Sequence, residues 1–309
     1  YILTPQKELT HPITAGNISD IFRDSNGEYW ITASSGHGLY RIQGEQIDRF
    51  QCKEEDPTTI SSNFTHRCCE DTEGNIWIGT FNGLNKYDKN TGEFYRYFKQ
   101  EHNKSLSHSS IWGLYCDKQG TIWIGTYSGL DRYDGYRLKS FYNELSYINK
   151  SYLNRISDIS IDKTGKLWLA TFSGIQLFNP YLESYIPIKI RNETPKDSEH
   201  EIKKILYVDN SHLFIIDNRQ KIALYKILNE NTLSREPFSL DANCYSLFKD
   251  TQQNTWISTD KGIWRLNSQN QLMHIFLPQL NNRIDYTFID HHNNLLAGGN
   301  SGLFYFTCN

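Results

Sequence analysis

His37, His66 and Asp285 carry the side chains best suited to proton transfer near neutral pH, with imidazole as the usual general base and the carboxylate as its partner or as a metal ligand. They are far apart in sequence, so only a fold could bring them together. A wider set adds Asn17, Asn82, Trp112, Tyr127, Arg155, Phe172, Tyr245 and Arg283 to those three and suits binding instead. Aromatic faces with Arg, Asn and Asp between them match a sugar, whose apolar ring face stacks while its hydroxyls exchange hydrogen bonds. Cys52, Cys68, Cys69, Cys116, Cys244 and Cys308 form no CxxC pair and have no His at metal-ligand spacing, so free, mostly buried thiols are expected. Cys68 and Cys69 are adjacent in a strand and point to opposite faces, while a disulfide involving Cys52 or Cys308 stays open.

The elements that must position these residues are read from a repeat. The copies run DSNGEYWITASSGHGL from Asp24, DTEGNIWIGTFNGL from Asp71, DKQGTIWIGTYSGL from Asp117, DKTGKLWLATFSGI from Asp162 and DTQQNTWISTDKGI from Asp250. Two copies are worn: DHHNNLLAGGNSGL from Asp290, with Leu296 in the Trp place, and a fifth near Asp209 that keeps the run Leu213 to Ile216. The anchors Trp30, Trp77, Trp123, Trp168, about Ile215, Trp256 and Leu296 are 47, 46, 45, about 47, about 41 and 40 residues apart. Each copy reads as four short strands, and four strands at this period are the signature of propeller blades. The expected fold is all-β, one seven-bladed β-propeller over residues 1–309, with the N-terminal strand Tyr1 to Thr4 completing the last blade and removing two sheet edges.

The repeated residues have architectural work to do. Each Asp can accept hydrogen bonds from its own turn, Gly27, Gly74, Gly120 and Gly165 supply positive φ, and each Trp wedges between blades. The small residue after the Trp lets backbones approach. Function is then expected in the loops that differ between copies. The loops entering the first strands and those joining the second and third strands share one face, and the binding set lies there, with Asn218, Lys261 and Asn300 in the second class of loop.

Composition narrows the classes. Lys and Arg number 32 against 35 Asp and Glu, a net charge of −3, so no basic excess exists to hold a nucleic acid backbone. No apolar run is long enough to cross a bilayer as a helix, so no membrane contact is expected within these residues. The 7 Trp and 20 Tyr with a single Met favour strands over a helical bundle. Triplets of the glycosylation type at Asn17, Asn63, Asn103, Asn149 and Asn192 are expected by chance in so Asn-rich a chain. His291 and His292 replace turn residues, and Arg191 to Lys204 reads as a polar connector.

The DxxGxxWxGTxxGL unit, with an apolar strand before it and a YRYF-like strand after it, resembles the two-component regulator propeller repeat of sensor regions in Bacteroidetes hybrid two-component systems. The resemblance is strong in four blades, good in the copy at Asp250 and weak in two. It implies a periplasmic sensor module, excised from a larger protein or standing alone, that responds to an oligosaccharide without catalysing a reaction. It also implies an adjoining propeller or immunoglobulin-like domain, or a second copy in a homodimer, as partners, and no cofactor, metal or catalytic residue. The unit is similar as well to repeats of streptogramin-type lyases, in which case His66, His37 and Asp285 would be cast as catalytic His and metal-binding carboxylate. A scaffold that binds no small molecule is the third alternative.

Overall fold

A computed structural model describes residues 3–8, 17–101, 105–143, 154–191, 200–209, 211–275, 283–299 and 302–308. Asn103, Asn149, Asn192, Asn300 and most of the polar connector lie outside the described residues. The chain forms seven sheets, each with a core of consecutive antiparallel strands, and the first strands of successive sheets touch one another in a closed cycle. This is a seven-bladed β-propeller. The first strands run Ile18–Arg23, Thr65–Glu70, Ile111–Cys116, Ile156–Ile161, Ile202–Asp209, Cys244–Lys249 and Ile284–Ile289, one per blade around the axis.

The ring closes as the sequence led us to expect. Leu3–Glu8 pairs antiparallel with Gly302–Cys308 and supplies the fourth strand of the seventh blade. One addition was not foreseen: just before the expected connector and sharing its first residue, Lys189–Arg191 pairs in parallel with Thr232–Glu236 and gives blade five an extra outer strand.

The repeat motif is explained by its contacts. Asp71 accepts the backbone N–H groups of Glu73 and Asn75 through Oδ1 and the indole N–H of Trp77 through Oδ2 at 2.7 Å. Asp24 with Trp30, Asp117 with Trp123 and Asp250 with Trp256 repeat the arrangement at 2.9, 3.1 and 2.8 Å. Asp162 caps its own turn, but the Trp168 indole N–H has no partner. Trp30 packs on Phe50 of its own blade and Tyr87 of the next, and Trp77 packs on Tyr97 and Tyr133 likewise, so the core is a set of wedges between blades. Gly79 must be small because a Cβ there would stand 2.7 Å from Ile111 Cγ2 of the next blade. In the fifth blade the strand register puts Phe214, opposite Leu206, in the Trp place, correcting the anchor from Ile215 by one residue. Phe214 is 1% exposed.

The cysteines differ from expectation. Cys69 and Cys116 form a disulfide that staples the first strands of blades two and three, whereas Cys52, Cys68 and Cys244 are free thiols. The two cysteines are one step out of register with each other, Cys69 opposite Trp77 and Cys116 opposite Ile122, so their pairing is visible only once neighbouring blades are packed together.

Candidate ligand-binding face

The face is defined by backbone hydrogen bonds. In blades one to six the residue after the second strand donates its N–H to the carbonyl of the residue preceding the first strand: Ser34 to Asn17, Phe81 to Phe64, Tyr127 to Ser110, Phe172 to Arg155, Asn218 to Glu201 and Asp260 to Asn243. Both classes of loop therefore share one mouth of the channel. Just inside it every first strand has a β-bulge, and after the bulge come Asp20, Arg67, Gly113, Asp158, Lys204, Ser246 and Tyr286, one per blade.

Two clusters gather most of the expected residues. In the first, the His66 ring lies on one face of the Trp112 indole, with centroids 4.4 Å apart and planes 21° from parallel. The Arg155 guanidinium covers an indole face at 4.6 Å and also lies 5.2 Å from the Tyr127 ring. Glu201 Oε1 stands 3.5 Å from Arg155 and also binds Lys203. His66 is 8% exposed, and burial together with the charges of Lys204, Arg67 and Arg155 pushes its pKa down to about 4. It is a neutral imidazole at physiological pH. In the second cluster Arg283 stacks on Tyr245 at 4.4 Å, donates to Asp285 Oδ1 at 2.7 Å and reaches Asn17 Oδ1 at 3.5 Å. Burial raises the pKa of Asp285, with the Arg283 contact working against it.

These contacts change the role of Trp112. With His66 and Arg155 both stacked on its ring and the residue partly buried, less of the indole is open to a sugar ring. The exposed aromatic faces belong to Phe64, Phe81 and Tyr127, which are 48%, 56% and 40% exposed. Sequence reasoning missed Phe64 and Phe81, although aligning FNGL with YSGL and FSGI places Phe81 in the same slot as Tyr127 and Phe172. Asn82 donates its N–H to Thr80 Oγ1, and the His37 carbonyl accepts from Arg49 Nε at 2.9 Å. No contact joins either residue to the two clusters among the described residues. Phe172 borders Arg155 through its backbone bond.

The channel below the mouth was not legible beforehand. Arg67 donates to Asp20 Oδ1 at 3.1 Å, to Asp158 Oδ1 at 2.6 Å and to the Tyr286 hydroxyl at 3.2 Å, so one side chain ties blades one, two, four and seven across the axis. The remaining oxygens of the two carboxylates accept the N–H groups of Cys68 and Ile205. Lys204 sits beside this network, and burial and the Arg67 charge lower its pKa to about 8.

Two grooves lie elsewhere. One of about 540 Å³ between blades six and seven is lined by Asp250, Asn254, Trp256, Arg265, Met273 and Ile275. It opens because Ile275 occupies the register position that Phe50, Tyr97 and Phe141 fill in other blades. The other, about 430 Å³, lies between blades four and five beside Ile190, His200 and Tyr225. Among the described residues no group of three or more His, Cys, Asp and Glu is placed to hold a metal ion. His66 and Asp285 belong to different clusters, so the arrangement does not join them as an acid and base pair.

Comparison with known proteins follows from this geometry. The family model described as "Two component regulator propeller" matches residues 59–82 and 105–128, the motif-bearing stretches of blades two and three. Those two stretches are similar to the two-component regulator propeller family. No curated protein sequence matches it. The extracellular domain of a protein assigned as a hybrid two-component system from B. thetaiotaomicron superposes on this chain with a TM-score of 0.79 at 18% identity, covering 99% of this chain and 42% of that one. A second such domain, assigned as a one-component system from the same organism, gives 0.75 at 19% identity, covering 98% and 42%. Virginiamycin B lyase from Staphylococcus aureus gives 0.74 at 14% identity, covering 100% and 99%. At these identities the likeness is one of fold. The chain spans about two fifths of the length of the extracellular domains it matches.

Proposed function

We propose that this propeller is the recognition unit of an extracytoplasmic two-component sensor and that it takes an oligosaccharide, without catalysing a reaction, on the face where the first strands begin. The observation that carries the reading is the Arg155 stack on Trp112 beside Tyr127, with Phe64 and Phe81 exposed on the same face. Pre-stacked, immobilised polar groups beside open aromatic rings bind a sugar at low entropic cost. A periplasmic setting is supported by the Cys69–Cys116 disulfide, which persists in an oxidising compartment, and by the family's extracellular relatives. Ligand engagement would bias the orientation of an adjoining domain or a second copy, which requires a different affinity for the two arrangements.

A thermal-shift screen against oligosaccharides, with a divalent-metal series alongside, tests the reading, because a ligand of the folded state raises the midpoint by mass action. A glycan that raises the midpoint in the wild type and not in Arg155→Ala supports it. A metal response without a glycan response would replace it with a lyase-like reading, and silence throughout would replace it with a scaffold.

A further inference from the structure

We propose that the channel mouth between blades two and five is a subsite for the acidic group, carboxylate or sulfate, of a charged sugar; this rests on the oligosaccharide reading above and narrows the ligand to an anionic one. The first ground is a set of buried polar atoms with nothing to bond. His66 Nε2, Ser157 Oγ and Arg155 Nε are buried without a partner, and the His66 and Ser157 residues are 8% and 6% exposed. Native proteins satisfy the great majority of such groups, so several around one mouth mark a place that something else completes. His66 and Ser157 occupy the same step of their first strands, immediately after Thr65 and Ile156, and Arg155 directly precedes Ile156.

The second ground is an unmatched cation. Lys204 lies beside Asp20 and Asp158, yet all four oxygens of those carboxylates are used, one on each by Arg67 and the others by the N–H groups of Cys68 and Ile205. Among the described residues no carboxylate is within ion-pair distance of Lys204. The charged groups that act on His66, Lys204 and Arg155 are Arg67, Lys203 and these two cations themselves against Asp20, Asp158 and Glu201, with His66 neutral, so positive charge is in excess.

The chemistry of this set selects an anion. Lys204, Arg155 Nε and the Ser157 hydroxyl are donors, and a neutral imidazole donates in its Nε2–H tautomer. A metal ion would need acceptors. A carboxylate or sulfate would satisfy these donors with charge-assisted hydrogen bonds, while the sugar ring to which it is attached extends outward to Tyr127.

Calorimetric titration of the 309-residue chain with digalacturonic acid, galactose 6-sulfate and neutral digalactose tests the proposal. The charged sugars should bind about tenfold or more tightly than the neutral one, and Lys204→Gln should lower their affinity by about tenfold while leaving the neutral sugar unchanged. Ser157→Ala, which disturbs packing least, should weaken the charged sugars in the same selective way. Galacturonate alone favoured over galactose 6-sulfate would assign the subsite to carboxylates, and the reverse to sulfates. Neutral digalactose binding as tightly as the charged sugars, or charged sugars binding the variants as they bind the wild type, would overturn the subsite and leave the oligosaccharide reading standing. No binding of any of the three would count against both.

Discussion

Arg67 and Asp158 are joined at 2.6 Å although 91 positions separate them in the chain, and the bond spans the axis from blade two to blade four. The equivalent residue of the intervening blade three is Gly113, which brings no side chain to the axis. The axis is therefore closed by an ion network and not by apolar packing.

Removing the arginine should cost more than the bond is worth. Arg67→Met leaves Asp20 and Asp158, 7% and 9% exposed in their side chains, without their cation. A loss of about 3–5 kcal/mol is expected. Chemical denaturation measures it, and a loss no larger than that of an exposed arginine would show that the axial network contributes nothing.

Asp131 should be improvable. Its carboxyl is buried and accepts the Ser107 N–H through Oδ2, while Oδ1 has no partner, and burial raises its pKa to about 6. Blade two has Asn85 in the same role: it accepts the Ser61 N–H and donates through Nδ2 to Ser61 Oγ at 2.8 Å. Asp131→Asn should copy that pairing and remove a buried charge, stabilising the protein by about 1–2 kcal/mol above pH 7. A raised folded-state pKa favours folding at low pH, so the gain should shrink as pH falls below 6. Melting curves at two pH values check both the sign and the trend.

His66 predicts the opposite dependence. Its pKa falls from 6.5 to about 4 on folding. Between those values the unfolded chain takes up a proton that the folded protein refuses, so this contribution is present above 6.5 and is lost as pH falls towards 4. The full difference is of order 3 kcal/mol. His66→Gln should flatten the stability profile across that window in denaturant titrations at a series of pH values. A profile as steep as that of the wild type would mean that the imidazole titrates normally.

The Cys69–Cys116 bond should be both present and stabilising. Alkylation of the unfolded, unreduced protein should leave these two cysteines unmodified and label Cys52, Cys68 and Cys244. Closing a loop of 47 positions is worth about 2–4 kcal/mol, so reduction should lower the melting temperature. Full labelling of Cys69 before reduction would remove the staple.

The repeat by itself determined the blade count, the closing strand and the roles of Asp71, Trp77 and Gly79, because each is set by turn geometry and by contact with the adjacent copy, which recur at every period. It also placed Trp112, Arg155, Tyr245 and Arg283 on one face, since strand order fixes which loops share it. Which of them touch, and that His66 and Arg155 stack on the Trp112 ring, followed only from the ring. The same holds for Arg67 with Asp158, Lys204 beside them and Cys69 with Cys116. Nothing local encodes these pairs. The disulfide exists because neighbouring blades pack side by side, and the charged network because ring closure brings the residues after each bulge, dozens of positions apart, to a common axis where charges must find one another.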